Sequence, residues 1–415
     1  MHIAVIGSGI SGLAAAYYLS RKHEVSIFEK DTRLGGHTHT VTVESSRGPL
    51  AVDTGFIVHN DRTYPNLVRL FAELGVETQP SDMSFGVACR RTGFEYSSRG
   101  LDGFFAQRSN ILRSAQYRLL HEILRFNREA PKLVEDGSAE TLTLGDVIEQ
   151  GRYSSLLTER YLYPMASAVW SMSTDAIRSF PALTLLRFFD NHGMLGINTH
   201  PKWKVIRGGS HNYIGPITVP FRHAIYTQAC LRSVARSESE VTLRFHDRPA
   251  MSFDHVVFAC HGNQVLPLLE SPSDSERDVL ARFKTSRNEV CLHTDVSLLP
   301  ARRQARASWN YHLSQDEGEG ATLTYHMNRL QSLDVPEDYC VTLNANGAID
   351  PSKVVRRMVY YHPLYTRDAV RAQARWQEIS GVNRTHYCGA YWFYGFHEDG
   401  LNSALRAART LGVEC

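Results

Sequence analysis

The opening stretch, MHIAVIGSGISGLAAAYYLS, constrains the fold more than any other part of the chain. It is apolar, but it lacks a basic start, and Gly7, Ser8, Gly9, Ser11 and Gly12 interrupt it. It therefore reads neither as a secretion signal nor as a membrane span, which needs about 20 predominantly apolar residues. It reads as a strand, a turn and a helix. His2–Ile6 is a short β-rich run of the kind buried in a parallel sheet. Leu13–Arg21, rich in Ala and Leu, suits a helix. Between them lies Gly7-x-Gly9-x-x-Gly12. Gly7 permits a tight turn, Gly9 lets backbone approach a pyrophosphate, and Gly12 lets the helix close on the strand. The free N–H groups and partial positive charge of the helix start then face the phosphates. The expected phosphate-binding surface is thus Gly7, Ser8, Gly9, Ile10, Ser11 and Gly12. A second β-run, Glu24–Phe28, ends at Glu29, where a dinucleotide ribose is bound in such units.

The remaining composition narrows the field. The chain has 415 residues, 45 Lys and Arg, 43 Asp and Glu, and a formal net charge of +2. That balance gives no reason to expect a nucleic-acid partner. Seven Cys without a CxxC pair read as reduced thiols of a cytoplasmic protein. The 19 His show no HExxH or similar spacing, so no metal site is expected. No later apolar run is free of charges, Gly or Pro.

After Glu29 the chain reads Lys30-Asp-Thr-Arg33-Leu-Gly35-Gly36-His37. The GxGxxG, the acid and this R-x-G-G resemble the flavoprotein superfamily of amine oxidases, protoporphyrinogen oxidases and phytoene desaturases. The resemblance implies non-covalent FAD, held at Glu29, Lys30, Arg33, Gly35, Gly36 and His37. His37 stands where the family usually has a second Arg. Asp53-Thr54-Gly55-Phe56 is similar to the family's turn near the isoalloxazine ring. Trp203–Ser210, with Gly208-Gly209, resembles the loop that re-enters the FAD domain. Ile225–Phe245 resembles the strand pair meeting adenine, with Cys230 or Leu231 at the contact, and Asp254–His261 reads as a run returning to the sheet. In Tyr387–Ala404 the resemblance places Gly389, Asp399, Gly400 and Leu401 at the flavin, on a helix starting near Gly400 that Asp399 would N-cap. Ala390 replaces the family's acid. DTGFIVHNDRTYPNL (53–67), SWNY (308–311), NRLQ (328–331) and GFHEDGLNSA (395–404) are similar to a bacterial subgroup related to fatty acyl desaturases and double-bond isomerases.

The expected architecture is α/β. A Rossmann-like FAD-binding domain of the glutathione-reductase type comprises residues 1–75, 200–285 and 380–415. An interleaved α+β substrate domain comprises 76–199 and 286–379. Its first segment reads as helical over Leu101–Leu133, Leu142–Gln150 and Ser155–Val169. Its second reads as strands over Glu289–Asp295, Ala321–His326 and Tyr339–Leu343. Ser271–Glu276 and Gln315–Gly320 read as polar turns.

No second GxGxxG offers a nicotinamide site, so electrons come from the substrate. Amine oxidases of the family keep a Lys on the strand entering the substrate sheet, and Arg287–His293 has none. The expected reaction is therefore hydride abstraction from an apolar lipid, fatty acyl or isoprenoid, by a desaturase or isomerase. The alternatives are an amine oxidase producing H2O2 and a non-catalytic flavin-binding partner of a lipid enzyme. Candidate catalytic groups are His397, His59 and Tyr361, the last paired with Phe396 as an aromatic cage. Asn60 and Arg62 would anchor a polar head or cap the helix starting at Tyr64-Pro65. Arg108, Arg113, Arg118, Arg125 and Arg128 mark a segment that would contact a membrane surface or form a solvated face.

Overall fold

The computed structural model describes residues 1–89, 92–170, 172, 174–196, 201–313 and 322–414. The expected turn Gln315–Gly320, Ala321 and the expected boundary at 199/200 lie outside them.

His2–Ile6 and Glu24–Phe28 form strands with those bounds. They sit centrally in a five-stranded parallel sheet, in the order Ile225–Tyr226, Glu24–Phe28, His2–Ile6, His255–Phe258, Thr385–Tyr387. The helix between them is Ile10–Leu19, starting at the glycine turn rather than after it. All but Tyr17 of its residues are buried, which explains its lack of a polar stripe. The C-terminal helix, His397–Thr410, crosses its start. A Cβ at Gly400 would lie 2.7 Å from Ile10 Cγ2 and 2.9 Å from Ser11 Oγ, so the crossing depends on this glycine.

A second sheet has seven strands. Its order is Val354–Leu364, Lys284–His293, Cys340–Leu343, Thr322–His326, Trp309–His312, Phe85–Cys89, Phe94–Ser97. All neighbours are antiparallel except Trp309–His312 with Phe85–Cys89. The segment 76–199, expected as helical, thus supplies two strands. Phe94–Ser97 is buried throughout and Phe85–Cys89 nearly so, and neither shows the alternation that marks a half-buried strand. Helices Ser114–Glu135, Leu144–Gln150 and Ala182–Asn191 pack a second core around Phe126, Phe180, Leu185 and Phe189. Ser271–Glu276 is only partly a turn, because Ser273 caps a helix, Asp274–Leu280, by accepting from the Glu276 N–H at 3.2 Å. Val58–Asn60, Trp203–Ile206 and Thr78–Pro80 form a small antiparallel sheet, with Trp203–Ile206 in the middle.

Candidate cofactor and active site

The first turn makes a cradle of bare backbone. Gly7 has φ +102°, and a Cβ at Gly12 would fall 1.9 Å from the Gly7 carbonyl oxygen. Helix and strand therefore approach as closely as backbone allows. Gly9 differs: nothing lies within 4 Å of its Cβ position. No side chain caps the helix it begins, and the first turn carries no acid, so the amide dipoles there are left open. Glu29, buried at the end of its strand, accepts from the Ser8 N–H at 2.8 Å and the Ser8 hydroxyl at 2.6 Å. Its other oxygen accepts from the Asp31 N–H at 2.9 Å. Gly35 and Gly36 complete the cradle. The Gly35 N–H donates to Ser8 O at 3.0 Å, and a Cβ at Gly36 would lie 2.9 Å from Gly9 Cα.

Arg33 braces this loop. Its guanidinium donates to the carbonyls of Gly36, at 2.7 Å, and Thr38, at 3.1 Å. Lys30 is exposed. The Gln228 N–H donates to Asp31 O and the Ala229 N–H to Glu29 O, pinning the turn that ends at Leu231 beside the Glu29 strand. Leu231 opens the strand Leu231–Arg236, and Cys230 is exposed.

The motifs at 53–56, 208–210 and 328–331 meet at one buried carboxylate. Asp53 accepts from Thr40 Oγ1 at 2.6 Å, the Ser210 N–H at 2.8 Å, the Ser210 hydroxyl at 2.9 Å and Gln331 Nε2 at 3.1 Å. Burial pushes this acid up to about 6, against the pull of its hydrogen bonds. Thr54 and Phe56 donate their N–H groups to the carbonyls of His39 and His37. A Cβ at Gly55 would sit 2.0 Å from His37 O, so this turn lies directly on the His37 backbone.

The C-terminal helix starts three residues earlier than expected, at His397, with Phe396 at its N-cap. Asp399 is therefore not the N-cap. It sits inside the first turn and accepts from the Phe396 N–H at 2.9 Å. Burial raises its carboxyl to about 7. Glu398 accepts from the N–H groups of Asn66 and Leu67, at 3.0 and 2.8 Å, at the start of the helix Pro65–Glu73. Leu401 is buried against the first helix, and the Gly389 N–H donates to Ser403 Oγ at 2.8 Å.

His397 stacks on Phe56, ring centres 3.6 Å apart, and its Nε2 lies 2.9 Å from Thr38 Oγ1, which also meets Tyr213 Oη at 2.7 Å. Desolvation holds this imidazole down at about 3, so it is neutral. His59 is fully buried edge-on to Phe71, neither ring nitrogen has a partner among the described residues, and burial lowers it to about 4. It is close enough to His397 to oppose a charge there. Asn60 serves its own turn, accepting from the N–H groups of Arg62 and Thr63 at 2.9 Å each.

Tyr361 is displaced from the cage. The strand Val354–Leu364 turns it outward, 47% exposed, while its neighbours Tyr360 and His362 turn inward onto His37, ring centres 4.9 and 5.1 Å away. The period of two decides this, and a reading without register has no way to choose between adjacent residues. Tyr360 Oη lies 2.7 Å from His39 Nδ1 and 2.8 Å from Thr54 Oγ1. The strand beside it begins at Lys284, which is exposed; its inward residue is Asn288, 3.3 Å from His362 Nδ1. His37 is exposed, and His261 and His362 are half-buried. Desolvation lowers all three. Phe396, the other expected cage residue, stacks on Phe188 at 4.8 Å, and the stack continues through His192 to Trp203 at 3.8 and 6.0 Å.

Sequence reasoning missed Tyr360, Thr38, His261 and this stack, and gave Ser210 and Gln331 only as motif positions without a partner. The SWNY and NRLQ strings mark neighbouring positions, but not what they touch.

The profile of the family described as "Flavin containing amine oxidoreductase" matches residues 10–293. A flavin-containing monooxygenase of Arabidopsis thaliana is 48% identical over 61 residues, 14% of this chain, and the match spans 13% of that protein's length. The structure is similar to cyclohexylamine oxidase from Brevibacterium oxydans, with a TM-score of 0.68 and 15% identity over 98% of both chains. It is equally similar to a fatty acid isomerase from P. acnes, with a TM-score of 0.70 and 14% identity over 99% of this chain and 97% of that one. At such identities the likeness shows a shared mixed α/β fold.

Proposed function

Because the chain belongs to the flavin containing amine oxidoreductase family, whose cofactor is FAD, we propose that it is an FAD-dependent oxidoreductase acting on an apolar chain. The substrate class is a fatty acyl or isoprenoid lipid, and the reaction a desaturation or double-bond isomerisation. FAD fits the cradle. The open position at Gly9 and the uncapped helix start suit a pyrophosphate, and Glu29 keeps acceptor capacity for a ribose diol. In this reading Gly7–Gly12, Gly35, Gly36 and His37 hold the phosphates and ribitol. The turn at Leu231 meets adenine. Thr54–Phe56, Gly389 and the helix start at Asp399–Leu401 surround the flavin. The Cys260 thiol, pushed up to about 12 by burial, is a poor nucleophile, which supports non-covalent binding.

When bound, FAD supplies the hydride acceptor. The protein's part is position, field and dryness. The helix start at His397 directs its positive end inward, and Asp399 takes up a proton near neutrality, so it adds little negative charge there. Phe56, Phe188 and Phe396 exclude water.

The substrate class rests on one observation. Among the described residues, the carboxylates beside the Phe56–His397 stack, Glu398 and Asp399, are both engaged with helix-start N–H groups, and the imidazoles are held neutral. An ammonium group finds no free counter-charge, while an alkyl chain finds a wall of rings. The test is anaerobic mixing of the FAD-loaded protein with unsaturated fatty acids, isoprenoids and amines. Flavin absorbance is followed, and products are analysed by mass spectrometry. Bleaching or a shifted double bond with a lipid is expected. Bleaching with amines alone overturns the substrate class. No reaction with any of them favours a non-catalytic flavin protein.

A further inference from the structure

Exposed apolar side chains are unevenly distributed. Of twelve large hydrophobic residues exposed among those described, five fall between 101 and 124: Leu101, Ile111, Leu112, Tyr117 and Leu124. Leu112 is 91% exposed, on a turn that projects between two helices, Gly100–Phe104 and Ser114–Glu135. The patch is built as one piece. Tyr117 Oη donates to Ile111 O at 2.9 Å, the Tyr117 ring packs on Phe105 at 5.5 Å, and Gln116 Nε2 donates to Phe104 O at 2.9 Å. Tyr117 and Leu124 lie on one row of the long helix, two turns apart. Clustered apolar exposure of this kind is rare on a surface that meets only water.

The same segment is basic. Residues 99–132 hold seven Lys and Arg against three Asp and Glu, in a chain whose net charge is +2. The acids are already engaged. Asp102 pairs with Arg108, Glu122 accepts from the Ser154 hydroxyl, and Glu129 accepts from Arg125 Nε at 3.1 Å and Tyr153 Oη at 2.6 Å. Arg113 and Arg118, both exposed, form no ion pair among the described residues. Arg128 reaches only the shared Glu129, at 4.0 Å. Among the described residues, no helix is long and apolar enough to cross a membrane.

We infer that the face carrying Leu101, Ile111, Leu112, Tyr117 and Leu124 docks on the surface of an anionic phospholipid bilayer. Leu112 and its neighbours enter the headgroup boundary, while Arg113, Arg118 and Arg128 meet lipid phosphates. Exposed apolar side chains on a basic segment, with Arg113 and Arg118 free of ion pairs among the described residues, match such a surface in both chemistry and charge. A second copy of the chain would bring the same positive charges together, which disfavours it as the occupant. The inference does not depend on the substrate.

Co-sedimentation of the FAD-loaded protein with vesicles tests it. Binding is expected to phosphatidylcholine vesicles containing phosphatidylglycerol, and much less to phosphatidylcholine alone. Each cation contributes about fivefold in partitioning, equivalent to about 1 kcal/mol, so R113E/R118E should lose binding by well over an order of magnitude. L112E should lose it too, while V359E, on the exposed face of the second sheet, should bind as wild type. Far-UV circular dichroism and flavin content confirm that each variant folds. Wild-type protein left in the supernatant at low salt overturns the inference, as does binding that R113E/R118E or L112E retains. If vesicles are ignored and Leu112→Glu instead changes the sedimentation coefficient, the face belongs to a second copy and the inference fails.

Discussion

Gly9 and Gly12 lie in one motif, yet the structure predicts opposite consequences for changing them. At Gly12 a Cβ would lie 1.9 Å from Gly7 O and 2.9 Å from Gly7 C, both backbone. Real contacts of this kind rarely fall below about 3 Å, so Gly12→Ala must push the helix Ile10–Leu19 away from its strand by about 1.1 Å in a close-packed interior. Such overpacking costs about 1–3 kcal/mol, offset in part by about 0.8–1 kcal/mol of helix propensity. The expected outcome is an apoprotein that melts a few degrees lower, at about 2–4 °C per kcal/mol for a unit of about 200 residues. At Gly9 the Cβ position is open and the backbone, φ −65° and ψ 178°, is ordinary for any residue. Gly9→Glu should leave apoprotein stability within about 0.5 kcal/mol. An acid at an uncapped helix start is itself favourable by about 0.3–1 kcal/mol. Its carboxylate, however, occupies the space an anion needs, so flavin should be lost. The assays are the ratio of flavin to protein absorbance after desalting, titration of apoprotein with FAD, and thermal unfolding without FAD. Full flavin content in Gly9→Glu, or a Gly12→Ala apoprotein as stable as wild type, would refute the assignment of the two roles.

Three further outcomes are expected. Eight imidazoles, His39, His59, His192, His261, His293, His362, His386 and His397, are lowered by burial to about 4 or below, and His37 is lowered well below its ordinary value. The fold favours their neutral form, so this stability is complete above about pH 6.5 and is lost as pH falls toward 4. Asp53 and Asp399, raised to about 6 and about 7, act oppositely but are outnumbered, so the apoprotein melting temperature should drop steeply from pH 6.5 to 4; a flat profile contradicts this. Glu29→Gln removes one of two carboxylate faces that hold Ser8 and Asp31, at about 1–2 kcal/mol; FAD affinity by titration should fall about tenfold or more, and unchanged affinity argues against a ribose contact. Tyr361→Phe, at an exposed hydroxyl, should leave flavin reduction at the wild-type rate. Tyr360→Phe breaks the link to His39 and Thr54 and should slow it, and stopped-flow absorbance showing the reverse order would place the cage back at Tyr361.

Local chemistry made the first thirty residues legible. His2–Ile6, the glycine turn and Glu24–Phe28 depend on interactions within a short span, and the contact of Glu29 with Ser8 closes a loop of only 21 residues. Propensity and periodicity are enough there. The stretch 287–293 holds no Lys, but its strand is longer than the sequence suggested and opens on the exposed Lys284, so the missing Lys was a matter of where the strand was taken to begin. The start of the last helix was missed because Gly400, which resembles an opening residue, is needed at the crossing with Ile10 and Ser11. The two strands at 85–97 were missed because burial on both faces erases alternation.

The chain by itself determined much of the glycine cradle, since Gly12 closes on Gly7 and Gly36 on Gly9, whereas Gly7 and Gly35 also answer the distant Ala259 and Ile214. Tertiary structure alone decided what gathers around Asp53, His37 and Phe56. Asp53 with Ser210 and Gln331, His37 with Tyr360 and His362, and Phe56 with His397 join residues more than 150 positions apart. Those pairings follow from sheet register and from the close-packing of two cores. A shift of one residue in the strand Val354–Leu364 would exchange Tyr360 for Tyr361 without altering any local preference.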